Sequence, residues 1–358
     1  MKKKKMGITF ASMSRREFLK TSGVVGGGLV ASSFLPASNA LAAKGILNPK
    51  YHTSFSKEQE YYYLNMTYEL AERIKEKTNG EVECRIYPSG QLGGQRAVAE
   101  KVQLGTVELC VISTANLSPF IPTYNLLDLP YLFPTWESSH EILKSKVMDE
   151  TIHRQAEQKG FKILTYNPDG FRMLVYNAPE IIKRPDQMKN LKVRVTGSAI
   201  EQRAFKIFGA NPTPVGWDET YSALQQGVVN AVHNSFATTY VSNLYEPVKY
   251  ISEINYMLNN AVVFASMKWW KQLPSDIQKA FEEVSSEAFE WHAKTVPQRI
   301  AEAEKIVRKA GVEIYTPTQA ELKVWKDKGG HQLPVWDDIK KRYGRDTYEK
   351  IAAAVEKL

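Results

Sequence analysis

Two arginines stand in or beside apolar β patterns, in Gly170-Phe-Arg172 and in Leu191-Lys-Val-Arg-Val195. An arginine there has two ways to sit. It faces outward at a sheet edge, which composition alone favours, or it points inward and must find an anion or carbonyl oxygens. An inward arginine is suited to hold a carboxylate, because the planar guanidinium fork matches it with two parallel hydrogen bonds. Trp217, a little further along, could cover an apolar or ring face and donate one hydrogen bond from its indole N–H.

No catalytic constellation competes with that reading. The six histidines, His52, His140, His153, His233, His292 and His331, show no metal-binding spacing such as His-Glu-x-x-His. There is no Gly-x-Ser-x-Gly elbow and no Walker A string. Carboxylates are scattered as on solvated helix faces. Cys84 and Cys110 are too few for a zinc site and lie in predicted strands, so two buried free thiols are expected. No metal and no cofactor is expected.

The elements that must position these residues alternate. A strand near 45–53 precedes a helix over 57–77 with Leu64, Tyr68, Ala71 and Ile74 as its apolar stripe. Asn79-Gly80 closes it. Strand 82–87, helix 95–104 and strand 107–112 follow. A helix over 138–159 leads to strand 161–166, which passes through Asn167-Pro-Asp-Gly170 to a second strand over 171–177. That extended pair would carry the chain between two domains. Then come strand 191–195, helix 198–208, the extended segment 211–215, helix 218–226 and strand 228–232. Residues 259–267 are a candidate return crossing. From Ser275 the pattern is helical, with Pro297 expected to kink one long helix. Short alternating units imply an α/β fold with mainly parallel pairing.

The 358 residues carry a formal charge of +8, which by itself suggests nucleic acid or an anionic surface. The charge is not evenly spread. Lys2 to Lys5, Arg15, Arg16 and Lys20 oppose only Glu17 in the first 42 residues, so residues 43–358 keep only +2. A basic start, a short Gly-rich apolar stretch and Ala40-Leu-Ala42 have the form of an export signal cleaved near Ala42. Its Ser14-Arg-Arg-Glu-Phe-Leu-Lys20 resembles the twin-arginine signal. A near-neutral exported protein, in the periplasm and without a nucleic-acid partner, is expected.

The stretch Gly209-Ala-Asn-Pro-Thr-Pro-Val-Gly-Trp-Asp-Glu-Thr-Tyr-Ser-Ala-Leu-Gln-Gln-Gly-Val-Val-Asn230 resembles the substrate-binding proteins of tripartite ATP-independent periplasmic (TRAP) transporters, the DctP-like family. Tyr87-Pro-Ser-Gly-Gln-Leu-Gly93, Leu129-Pro-Tyr-Leu-Phe133 and the two arginine segments agree in order. The resemblance implies two α/β lobes, with two mixed sheets flanked by helices, crossing strands and a long lobe-spanning helix. The first lobe is expected over 43–168 with 260–298, the second over 169–259 with 299–358.

It also implies an organic acid held in the interlobe cleft and delivered by a monomer to the membrane permease subunits. Arg194 would pair with the ligand carboxylate and Arg172 would be a second anchor. Trp217 would line the cleft, Asn234 would touch the ligand, and Gln95, Ser113 and Asn116 would tune specificity. The segment from His52 to Tyr62 would add a wall. Where the family has two acidic residues, this chain has Asn230 and His233. That change implies a more positive cleft, with His233 either contacting the ligand or packing at a strand end. An exported enzyme or a ligand-sensing module on the same fold is the alternative.

Overall fold

The computed structural model describes residues 47–63 and 66–358. The expected export signal with its Ala42 cleavage, and Leu64 of the first helix stripe, lie outside the described residues.

The strands, in chain order, are β1 (Lys50–His52), β2 (Arg85–Tyr87), β3 (Leu109–Ser113), β4 (Phe161–Phe171), β5 (Met173–Tyr176), β6 (Lys192–Val195), β7 (Asn211–Pro214), β8 (Ala231–Asn234), β9 (Tyr250–Ser252), β10 (Leu258–Ser266) and β11 (Glu313–Tyr315). They form a first sheet in the order β2-β1-β3-β10-β4 and a second in the order β11-β9-β5-β8-β6-β7. Both are mixed. β10 runs antiparallel to β3 and β4, and β5 runs antiparallel to β8 and β9. The mainly parallel expectation fails at these strands. β5 and β10 enter their sheets directly from the other lobe, so they need no crossover helix and can lie reversed against their neighbours.

β4 and β5 do not form the pair expected around Asn167-Pro-Asp-Gly170. β4 continues through that tetrapeptide and pairs with β10, while β5 belongs to the second sheet. Asp169 is held there by the hydroxyls of Ser235 and Thr238, each donating to Oδ2 at 2.6 Å. Gly170 has φ +113°, and a Cβ on it would meet Ile300 Cδ1 at 3.1 Å. Only glycine fits the backbone there without strain. The chain returns alongside: Arg172 N–H donates to the Met257 carbonyl at 2.8 Å and Tyr256 N–H to the Arg172 carbonyl at 3.3 Å. Two antiparallel passes therefore join the lobes.

The third connection is the helix Ser275–Lys309, 35 residues long. Its first half places Ile277, Phe281, Val284 and Ala288 in the core with Val111, Val263 and Ala265 of the first sheet. Its second half places Ala303 and Val307 with Val175, Val232 and Ile251 of the second. Trp269 and Trp270 pack on Phe281 in that first core. The helix expected over 138–159 is interrupted. Trp136–Leu143 is followed by a short turn, a π-turn over Asp149–His153 and Arg154–Gln158. Helix Arg345–Val355, which the sequence placed with the second lobe, packs on Trp136–Leu143 and Lys146–Met148, elements of the first-lobe segment. Cys84 and Cys110 are free thiols.

Several histidines are buried as neutral groups. His292 on the long helix has both ring nitrogens unpartnered, and burial holds its pKa well below 6.5. Burial also lowers His52 to about 4. Such a group stabilises the fold fully above its unfolded value of 6.5. That contribution is lost as pH falls from there toward the folded value. Thermal unfolding should therefore show a falling Tm below pH 6.5. His292→Phe should lose less stability than the wild type between pH ~7 and ~5, measured by denaturant titration at both. Equal acid sensitivity in both proteins would refute this.

Candidate functional site

A cavity lies between the sheets. The first sheet contributes Ser113 of β3, Asn167 of β4 and Asn259 and Asn260 of β10. The second contributes Arg194 of β6 and Asn234 of β8. Arg172 enters from the crossing between β4 and β5.

Arg194 sits one residue before the end of β6, in an apolar strand whose partners β7 and β8 cover both edges. It is 3% exposed, so the inward alternative holds. Its Nε donates to the Val215 carbonyl at 3.1 Å, and the guanidinium carbon stands 5.6 Å from the Trp217 ring centre. Its two terminal nitrogens make no hydrogen bond among the described residues. Burial lowers its pKa to about 10, which leaves it charged at neutral pH. A strand arginine fixed at Nε is preorganised, with little rotamer freedom left to lose on binding.

Arg172 is built differently. Its Nη1 donates to Glu201 Oε1 at 2.7 Å and to His233 Nδ1 at 3.2 Å. Glu201 Oε2 accepts from the backbone and hydroxyl of Thr196, both at 2.7 Å. Burial pushes the Glu201 carboxyl up, but Arg172, His233 and Arg194 outweigh it and hold it well below the usual carboxylate range. Glu201 is therefore an anion, and the Arg172 charge is already matched within the protein. The Arg172 Nε remains unpartnered.

His233 does not line the cavity. It is fully buried behind Arg172, with the Tyr256 hydroxyl 2.8 Å from its Nδ1 and Phe205 against its ring. Its Nδ1 faces the Arg172 donor, so the ring proton belongs on Nε2, toward Glu201 at 3.6 Å. Burial lowers its pKa to about 4. The packing alternative for His233 is the one the structure holds. Asn230 is also outside the cavity, its Oδ1 accepting from Lys192 N–H at 2.7 Å. A carboxylate does stand beside the arginines: Glu201, from helix Ala199–Phe208, pairs with Arg172.

The other expected residues do come together. Gln95 Oε1 accepts from Ser113 N–H at 3.1 Å and from Asn116 Nδ2 at 2.9 Å, which ties the three to one wall. Gln95 opens helix Gln95–Leu104, and Ser113 caps the following turn by accepting from Asn116 N–H. Asn234 Oδ1 accepts from Asn259 Nδ2 at 3.2 Å, across the two lobes. Trp217 meets Phe55 edge-on at 5.9 Å, again across the cleft. Ser54, Phe55 and Glu60 supply the wall expected from the 52–62 segment.

Sequence reasoning missed Asn167, Asn259, Asn260 and Glu201. The first was read only as part of the link between two strands. Asn259-Asn260 did carry a signal, two amides at the start of a strand that continues Ala-Val-Val-Phe-Ala. In the structure the Asn167 Oδ1 and both side-chain polar atoms of Asn260 are buried without a partner. Orphan polar atoms around a charged arginine mark a site that a polar ligand completes.

The sequence and the fold resemble those of known proteins. A 2,3-diketo-L-gulonate-binding periplasmic protein of Escherichia coli is 29% identical over 263 residues, 73% of this chain and 78% of its own. A C4-dicarboxylate-binding periplasmic protein of Rhodobacter capsulatus is 27% identical over 288 residues, 80% of this chain and 84% of its own. A solved TRAP periplasmic solute-binding protein of Desulfovibrio salexigens, with bound orotic acid, superposes with a TM-score of 0.79 at 27% identity, covering 86% of this chain and 99% of that one. The model of bacterial extracellular solute-binding protein family 7 matches residues 53–341, so the chain, with its two mixed sheets and the arginine-bearing cleft between them, belongs to that DctP family.

Proposed function

We propose that this protein is the extracytoplasmic solute-binding component of a TRAP transporter. It captures an organic acid between its lobes and hands it to the membrane permease subunits. The observation that carries the reading is Arg194: a buried, preorganised guanidinium whose two terminal nitrogens make no hydrogen bond among the described residues, beside a polar cavity. A carboxylate entering there loses its hydration and needs such a fixed cation. Arg172, already paired with Glu201, supports the site with its remaining donors. The signal read in residues 1–42 supports export to the periplasm with cleavage near Ala42. The family relatives named above are binding proteins, which supports capture and release over turnover.

The test is a thermal-shift screen against organic acids, since a ligand that binds the native state raises Tm. Calorimetry should then give one site per chain, with the acid recovered unchanged. Turnover of the acid would favour an enzyme on this fold instead. Trp217 offers a separate check. Ligand should change its fluorescence, because it packs on Arg194 and Phe55 at the cavity wall. With seven tryptophans in the chain, the change must shrink in Trp217→Phe; an undiminished signal would remove Trp217 from the site.

A further inference from the structure

The charges around the cavity restrict which organic acid it takes. Arg172 is matched by Glu201 at 2.7 Å. Arg194 makes no ion pair among the described residues, so the cleft offers one unmatched positive charge. The remaining polar lining is uncharged, chiefly Asn167, Asn259, Asn260, Gln95 and Asn116, with one exception. Glu60, from the helix Lys57–Tyr63, is 2% exposed and lines the same cavity. Its Oε1 accepts from the hydroxyls of Thr53 and of Thr67, the latter at 3.0 Å. No cation pairs with it among the described residues.

We infer that Glu60 is a specificity-determining residue of the cleft, held as a neutral acid that hydrogen-bonds a hydroxyl or keto oxygen of the ligand, and that together with the single unmatched cation, Arg194, it suits the site to hydroxylated or oxo monocarboxylates. The inference rests on the organic-acid reading above. A second ligand carboxylate would find no unmatched cation among the described lining residues once Arg194 holds the first. A ligand hydroxyl, by contrast, finds Asn167 Oδ1 and both polar atoms of the Asn260 amide without partners, and a keto oxygen finds the Asn260 N–H groups and an acid proton on Glu60. The groups facing Glu60 are consistent with its neutral form. Tyr51 of β1 and Tyr68 of helix Met66–Lys77 are phenols whose own pKa values are raised. The helix Phe236–Val241, packed on the helix that carries Glu60, brings only Tyr240. Burial pushes the Glu60 carboxyl up to about 7 against the hydroxyl bonds that lower it.

Binding should therefore take up a proton above neutral pH. The sign is fixed: the binding-competent neutral form is lost as pH rises, so affinity falls. Between pH ~6 and ~8 the loss should be about tenfold, the ratio set by one group titrating near ~7. Asp128 is also buried with a pKa near 7 and feels Arg172, but it does not line the cavity.

The experiment is calorimetric titration with gluconate, galactonate, glucuronate and 2-oxobutanoate against succinate, malate and 2-oxoglutarate. It is run at the two pH values, in buffers of different ionisation enthalpy, on the wild type and on Glu60→Gln and Asp128→Asn. A monocarboxylate should bind tightest to the wild type, with a buffer-dependent enthalpy at the higher pH. Glu60→Gln should remove the tenfold pH dependence, and Asp128→Asn should leave it. A dicarboxylate binding tightest, a pH-independent affinity, or dependence surviving in Glu60→Gln each overturns the inference. A dicarboxylate preference that still needs Arg194 overturns it alone, whereas no binding by any of the acids overturns the organic-acid reading as well. The wild-type buffer comparison decides the proton uptake even if Glu60→Gln folds poorly.

Discussion

Arg194→Ala should abolish binding of the organic acid while leaving the fold in place. The substitution removes a buried guanidinium whose terminal nitrogens make no hydrogen bond among the described residues. Its own contribution to the fold is small: one hydrogen bond from Nε to Val215 and a contact on Trp217. Removing the partner of a buried ligand charge costs about 2–5 kcal/mol, a loss of roughly 30- to several-thousand-fold in affinity. Burial of Arg194 is itself unfavourable, which is why its pKa falls to about 10. Stability should change little or even rise. The check is calorimetry with the tightest wild-type ligand, beside far-UV circular dichroism and Tm. Wild-type affinity with an unchanged spectrum would refute the assignment. Arg194→Lys is a useful companion, because it keeps the charge but loses the fork and should recover only part of the affinity.

Glu201→Ala should be the most destabilising change near the site. Glu201 has no exposure, and its two oxygens receive Arg172, Thr196 N–H and the Thr196 hydroxyl. Without it Arg172 keeps a buried charge with no matched anion, and a backbone donor loses its partner. Breaking one member of a buried ion pair costs about 3–5 kcal/mol. For a chain of this size that is a fall in Tm of roughly 5 °C or more. The effect on binding runs the other way for one ligand class. With Glu201 gone the cleft carries two unmatched guanidinium groups, so dianions should gain relative to monoanions. Glu201→Gln keeps an acceptor for Thr196 and should be milder in stability while showing the same change in selectivity. A Glu201→Ala protein with wild-type Tm would mean that the Arg172–Glu201 pair is not the buried, interdependent unit described above.

Much of the fold was legible in the chain because local signals there agree with the global one. Helix 95–104 was read to the residue: it is bounded by Gly94 and by Gly105, whose φ of 81° is the left-handed stop that glycine favours. β10 was visible as an apolar run. The errors fall where tertiary contacts override local preference. Asn167-Pro-Asp-Gly170 was expected to join two paired strands, but Ser235 and Thr238 hold Asp169 in a crossing that pairs with β10, while β5 joins the other sheet. β8 was expected from Val228, yet Val228 is half exposed and the strand begins at Ala231. The chain first bends so that Val229 N–H reaches the Ala223 carbonyl.

The site divides in the same way. The amino-acid sequence by itself determined that two arginines lie in strand contexts, that a tryptophan follows, and that the net charge belongs mostly to the first 42 residues. These are properties of residue type and order. Only the tertiary structure decided what each charge is for. It placed Glu201, from a helix, against Arg172, and so matched the charge of one arginine and left that of the other without an ion pair among the described residues. It put His233 behind that pair instead of in the cleft, and it aimed the amides of Asn167 and Asn260 and the acid of Glu60 at one cavity. The physical reason is that a charge in a low-dielectric interior is defined by its partner, and the partners here come from segments far apart in the chain.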